Sequence, residues 1–219
     1  MTANSAPIAR VAPGSRRDVP AWRQAALVAA GLAAIVAARL AATRAGLDPI
    51  AVGAAFGAAL LLLAAPGFVG LQIVAGRVAA ARLGELSRAV IIGSVVGLAL
   101  VAATVVGPAL AGGTSVPGLG RPEVAFLPWA LVTILVASAE EAVLRGVLFD
   151  RIVRAGGIGP ALAITTVAFA LLHVPLYGWH VVPLDLAVGL ALGGLRVATR
   201  SVVAPAAAHA VADLATWWL

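Results

Sequence analysis

The sequence contains no cysteine and no lysine, and only 11% of its 219 residues are charged. Without cysteine, the chain has no disulfides, no thiol nucleophile and no thiolate metal site. Any chemistry must therefore come from Glu, Asp, His, Arg, Ser or Thr. All 15 basic side chains are arginines, and the net charge is +6. This balance would suggest nucleic-acid binding in a soluble protein. Here the arginines lie between apolar runs, so we interpret them as topology signals and expect no nucleic-acid partner.

Hydrophobic residues make up 62% of the chain, and the mean hydropathy is +1.06. This composition is far from that of soluble proteins. We predict an all-α, polytopic membrane helix bundle with about seven transmembrane helices and the lipid bilayer as its surroundings. The predicted spans are residues 21–42, 50–76, 89–111, 124–148, 158–174, 182–197 and 202–218.

The remaining segments are predicted to lie outside the membrane. Residues 1–20 are polar and carry three prolines, which is typical of a disordered cytosolic tail. This tail precedes residues 21–123, which are predicted to contain the N-terminal transmembrane helices and the loops between them. The predicted connections are a polar connector at 77–88, a Gly/Pro-rich loop at 112–123, a basic turn at 150–157 that ends in Gly-Gly, and an aromatic loop at 177–180.

Arginine placement predicts the orientation of the bundle. With the N-terminus inside, eleven arginines fall on the inner side and three in the outer loops, while Arg145 lies within a span. This asymmetry favours an inside N-terminus and an outside C-terminus. The same topology places Trp129, Trp179, Trp217 and Trp218 at the outer interface and Trp22 at the inner one. Glycine pairs four residues apart also predict close helix packing. These pairs are Gly53/Gly57, Gly93/Gly97 and Gly189/Gly193.

Three ionisable residues lie in the fourth span, at Glu140, Glu141 and Arg145. Each costs at least about 2.5 kcal/mol at the bilayer centre, so they are candidates for function unless this segment is a cytosolic loop. On a helix, Glu141 and Arg145 are four residues apart in the order that favours an ion pair. Glu140 points about 100° away from Glu141, so its carboxylate is free to act as a general base in a cavity.

Two later spans contribute further polar residues. Phe169 and His173 share one face of the fifth span, and His209 and Asp213 share one face of the seventh. A lone histidine is often structural, and the His209/Asp213 pair could be a polar clamp between helices. Asp213 could also orient the ring of His209. Polar groups in three spans together indicate an intramembrane site. The remaining candidates, His180 and Asp185, lie in or beside the aromatic loop and are expected to be solvated.

The order Glu140-Glu141-x-x-x-Arg145, Phe169-x-x-x-His173 and His209-x-x-x-Asp213 resembles the CPBP family of intramembrane proteases. This family, also called Abi, includes the CAAX prenyl endopeptidases and bacteriocin-processing proteins. The resemblance covers residues 124–219, the predicted catalytic core. It implies peptide-bond hydrolysis, with Glu140 and His173 activating a water and His209 and its partner stabilising the oxyanion. Members commonly have Asn where this chain has Asp213. An ionised carboxylate cannot donate to an oxyanion, so Asp213 must be protonated, orient His209 or bind a metal.

The metal requirement stays open at this point. We favour a glutamate-activated water that requires no cofactor, and the alternative is Zn²⁺ held by His173, His209 and a carboxylate. The sequence has no His-Glu-x-x-His motif. The expected substrate is a membrane-associated peptide or protein, cleaved at a bacterial cell membrane. The alternatives are a non-catalytic scaffold or bacteriocin-immunity protein and, less favoured, a proton-coupled transporter.

Overall fold

The computed structural model describes residues 20–74, 79–110 and 124–219. Within these ranges every regular element is a helix, which confirms the predicted all-α bundle. The α-helices are α1 Ala21–Arg44, α2 Pro49–Val74, α3 Ala79–Leu110, α4 Phe126–Glu141, α5 Phe149–Gly156, α6 Ile158–Tyr177, α7 Val182–Thr199 and α8 Val203–Ala215.

In the described part of the chain, six helical segments are long and apolar enough to cross a membrane. The seventh predicted span is the shorter helix α8, which has 13 residues. At 1.5 Å per residue α8 measures about 20 Å, against a hydrocarbon core of about 30 Å. The inside location of the N-terminus stays a prediction. The predicted tail, apart from its last residue, and the predicted loop at 112–123 lie outside the described residues.

Two predicted connections are wrong because they are helical. Helix α3 begins at Ala79, so most of the predicted connector belongs to it. This stretch is rich in Ala, Arg, Leu and Glu, which are strong helix formers whether or not they are polar. The predicted basic turn at 150–157 is mostly α5, which continues the fourth span without a break, so that Phe126–Gly156 forms one helix of 31 residues. The predicted glycine stop is present, since Gly157 has a φ of +90°.

The glycine pairs lie where helices approach closely, as the sequence predicts. A Cβ added to Gly97 of α3 would lie 2.5 Å from the carbonyl oxygen of Ala208 in α8. A Cβ on Gly57 of α2 would lie 2.8 Å from Leu135 of α4. In a bilayer the hydrophobic effect does not drive helices together, so they associate through close backbone packing, which small residues allow. These contacts pack α3 against α8, which carries His209, and α2 against α4, which carries the two glutamates.

Aromatic side chains join the start of α4 to the end of α8. The ring of Trp129 lies 4.8 Å from that of Trp217, and Phe126 packs edge-on against Trp217 at 5.2 Å. Trp218 lies 5.5 Å from the same phenylalanine ring. The beginning of α4 and the end of α8 therefore lie at the same end of the bundle, as the seven-span topology predicts.

Candidate functional site

A wide π-helical turn, Ala142–Leu148, joins α4 to α5 within the continuous helix Phe126–Gly156, and all seven of its residues are buried. Such turns leave the normal hydrogen-bond ladder and are frequent at functional sites. Here the carbonyl of Arg145 accepts a hydrogen bond of 2.9 Å from Nε of Arg196 in α7. The same guanidinium donates to Asp150 at 2.9 Å. Arg196 therefore fixes the turn that directly follows the two glutamates.

Glu141 and Arg145 form the ion pair that their spacing predicts. Nη1 of Arg145 donates to Oε1 of Glu141 at 2.8 Å, and both side chains are fully buried. Nη2 of Arg145 donates to the carbonyl of Gly189 at 2.9 Å, and its guanidinium lies 4.7 Å from the centre of the Phe169 ring. The arginine therefore links the turn to both α6 and α7.

The pair extends to a third residue that helical spacing does not reveal. Nδ1 of His209 lies 3.2 Å from Oε1 of Glu141, the same oxygen that accepts from Arg145. A carboxylate paired with a guanidinium can only accept, so Nδ1 of His209 is the donor. Glu141 thus fixes the imidazole of α8 against α4.

Glu140, His173 and His209 converge at one point. Each offers one ligand atom, and these three atoms lie within 4.8 Å of one another. Oε2 of Glu140 is 3.9 Å from Nε2 of His209, and Glu140 is only 2% exposed. Because α5 extends the fourth span, Glu140 lies sixteen residues before Gly156, and His173 lies sixteen residues after Gly157. The two side chains are therefore at the same depth, about 24 Å along their helices.

His173 lies between two aromatic rings. Its centroid is 4.8 Å from that of Phe169, edge-on, and 5.9 Å from that of Tyr177, nearly parallel. Nδ1 of His173 lies 3.0 Å from the carbonyl of Phe169. A carbonyl only accepts, so Nδ1 carries the proton. Nε2 then has a free lone pair and can accept a hydrogen bond or bind a metal.

Asp213 and Asp185 are two further carboxylates near the site. Oδ2 of Asp213 lies 3.4 Å from Nε2 of His209, and its side chain is 43% exposed. Asp185 lies in the first turn of α7, and its Oδ2 is 3.6 Å from Nδ1 of His173. The prediction that Asp185 is solvated is wrong, because the first turn of α7 packs against α6 and carries this side chain inward. His180 is exposed, as predicted.

A cavity of about 580 Å³ adjoins these groups and lies toward the end of the bundle marked by Trp129 and Tyr177. His173, His209, Asp185 and Asp213 line it. Its size falls within the usual range for ligand pockets, about 300–1,000 Å³. A larger groove of about 800 Å³ between α1, α5 and α6 is lined only by apolar residues and glycine, and holds none of this chemistry.

The donor set fits a metal ion. Two imidazoles and one carboxylate within reach of one another are the ligands of many catalytic zinc sites, which keep a fourth position for water. Each histidine also has its Nδ1 held by a protein oxygen, from Phe169 or Glu141. Such outer contacts orient the ring and are usual at metal sites. Glu140, His173 and His209 could therefore hold Zn²⁺.

The fold and this site together define a polytopic helical membrane protein with a buried glutamate–histidine centre. Residues 122–215 match the family model described as Type II CAAX prenyl endopeptidase Rce1-like. The matched segment contains all six predicted site residues, and it confirms the resemblance to the CPBP intramembrane proteases over this region. No curated protein matches the chain. No solved structure matches it either.

Proposed function

We propose that the protein is an intramembrane endopeptidase that hydrolyses peptide bonds of a membrane-associated peptide or protein. The observation that carries this proposal is the convergence of Glu140, His173 and His209 from three helices beside a cavity. The family match over residues 122–215 supports the same reaction class. A scaffold would need no such convergence of buried ionisable groups.

In the proposed reaction, Glu140 is the general base. It takes a proton from a water positioned by Nε2 of His173, and the water oxygen bonds to the peptide carbonyl carbon. The carbonyl oxygen becomes an oxyanion, which doubly protonated His209 stabilises through Nε2–H while its Nδ1–H stays bound to Glu141. Glu140 then returns the proton to the leaving nitrogen as the carbon–nitrogen bond breaks.

The other three predicted site residues hold this machinery in place. Glu141 and Arg145 fix His209 and the π-helical turn, and neither needs to touch the substrate. We assign Asp213 the orienting role, because its carboxylate lies beside Nε2 of His209 and cannot itself donate to an oxyanion when ionised.

Zn²⁺ is the alternative source of the nucleophile, with Glu140, His173 and His209 as its ligands. When bound, the ion would supply a water that ionises near neutral pH. We favour the metal-free reaction because Glu140 then has a base role that a metal ligand would lose. The protein's own residues bind and orient the substrate in either case.

Cleavage of a quenched fluorescent peptide library by the purified, detergent-solubilised full chain tests the proposal. Wild type and Glu140→Gln are compared, each with and without a chelator, and Glu85→Gln is the control because Glu85 is exposed on α3. We expect wild-type cleavage that Glu140→Gln abolishes and the chelator spares. Loss with the chelator and recovery with Zn²⁺ would establish the metal-dependent reaction. Equal cleavage by wild type and Glu140→Gln would overturn the proposal.

A further inference from the structure

Asp185 is a partly buried carboxylate that the proposed reaction does not use. Its side chain is 16% exposed, as is that of His173, and Oδ2 lies 3.6 Å from Nδ1 of the histidine. Among the described residues, this oxygen is buried without a hydrogen-bond partner. A buried carboxylate oxygen without a hydrogen bond lowers the stability of the fold. Its position beside an imidazole therefore suggests a function.

The ring of His173 is already held without Asp185. Phe169 and Tyr177 flank it on two sides, and the carbonyl of Phe169 accepts from Nδ1 at 3.0 Å. Asp185 adds a negative charge on the proton-bearing side of the ring. That charge favours the tautomer with hydrogen on Nδ1, which leaves Nε2 as an acceptor.

Other charged groups near the ring come from different helices. They are Glu140 of α4, His209 and Asp213 of α8, and Arg39 of α1. Tyr177 of α6 is a further titratable neighbour. Among these, the geometry brings only Asp185 against Nδ1. Glu140 and His209 lie within the three-residue convergence where the water is expected.

We propose that Asp185 is a positioning residue for His173: its carboxylate holds the imidazole in the Nδ1–H tautomer, so that Nε2 stays unprotonated and can accept a hydrogen bond from the water. This inference rests on the proposed function. The competing explanation is that Asp185 only stabilises the first turn of α7 through the helix dipole, which is worth about 0.3–1 kcal/mol and concerns stability alone.

The experiment compares purified full-length wild type, Asp185→Asn, Asp185→Glu and the surface control Glu85→Gln. The readouts are kcat and KM on a cleaved library peptide, the thermal unfolding midpoint, and the histidine nitrogen chemical shifts, which report the tautomer. His173 is assigned from the loss of its signal in His173→Gln.

We expect Asp185→Asn to lower kcat about 10- to 100-fold, as for other residues that orient a reacting histidine. KM and the unfolding midpoint should stay close to wild type, Asp185→Glu should recover part of kcat, and the Nδ1–H tautomer of His173 should decrease in Asp185→Asn. An unchanged kcat, or a loss of kcat that only follows a lower unfolding midpoint, overturns the inference. If wild type cleaves no peptide, the proposed function has failed separately, and the tautomer of His173 in Asp185→Asn still decides this inference: an unchanged tautomer refutes it.

Discussion

His209 donates from Nδ1 to Oε1 of Glu141 across 3.2 Å, although 68 residues separate them in sequence. The contact joins α8 to the end of α4 inside the bundle. The two adjacent glutamates therefore have different surroundings: Glu141 is occupied by Arg145 and His209, and Glu140 faces the convergence with His173.

The buried pair of Glu141 and Arg145 predicts an unequal response to single and double substitution. Arg145→Met leaves the buried carboxylate of Glu141 without its guanidinium, and we expect a loss of about 3–5 kcal/mol in the free energy of unfolding. The double variant Glu141→Leu/Arg145→Met removes both charges, so it should be closer to wild type in stability, although Nδ1 of His209 loses its acceptor. Thermal unfolding in detergent measures both. Equal destabilisation by the single and double variants would contradict this account of the pair.

The two hydrogen bonds of Arg196 are expected to contribute unequally to stability. Asp150 has a half-exposed side chain, so its pair with Arg196 is worth little, about 0–1 kcal/mol. The carbonyl of Arg145 is buried, and loss of its donor costs about 1–3 kcal/mol. We therefore expect Arg196→Met to lower stability and peptide cleavage markedly, and Asp150→Asn to change them little. If Asp150→Asn reproduces the full effect of Arg196→Met, the bond to the π-helical turn is unimportant.

The contact between α3 and α8 predicts that Gly97 tolerates no side chain. A valine there would collide with the backbone of Ala208, next to His209, and overpacking of this kind costs about 1–3 kcal/mol or more. We expect Gly97→Val to lower both the unfolding midpoint and peptide cleavage. Gly194→Ala is the matched control, since a Cβ at Gly194 meets nothing within 4 Å. Similar results for the two variants would show that this close approach is not required.

The membrane orientation is a prediction from arginine placement and is tested with fused reporters. A reporter attached at Leu219 should behave as external, and one attached at the N-terminus as cytosolic. The cavity would then open toward the outer side, because Trp129 and Trp217 lie at the same end of the bundle. A cytosolic reporter at Leu219 would reverse the predicted side of the cavity.

Sequence reasoning predicted the contacts that helical spacing determines. Glu141 with Arg145, Phe169 with His173 and His209 with Asp213 are each four residues apart, and each pair is in contact. The spacing follows from the helix geometry alone. Likewise, the glycine pairs predicted positions at which two helices pack closely. They did not predict which two helices are in contact at each position.

Contacts between helices could not be predicted in the same way. The bonds of Glu141 to His209 and of Arg196 to the carbonyl of Arg145 depend on which helices are neighbours and on their rotation. The periodicity of a sequence indicates which residues share a face of a helix, but it does not indicate which other helix packs against that face. The π-helical turn at Ala142–Leu148 has no residue pattern of its own. The sequence places Asp185 beside the aromatic loop, and position along the chain alone does not show that its side chain turns inward toward His173.

The most direct test of the central claim asks whether Glu140 and His173 act on the same water. The kcat values of Glu140→Gln, His173→Ala and the double variant are measured on one cleaved peptide, with His180→Ala as a control at an exposed histidine. Residues that act as a unit give strongly non-additive losses. We predict that each single variant loses nearly all activity, that the double variant is no worse than either, and that His180→Ala retains wild-type kcat. Near-wild-type kcat in Glu140→Gln, or losses that simply multiply in the double variant, would contradict the account.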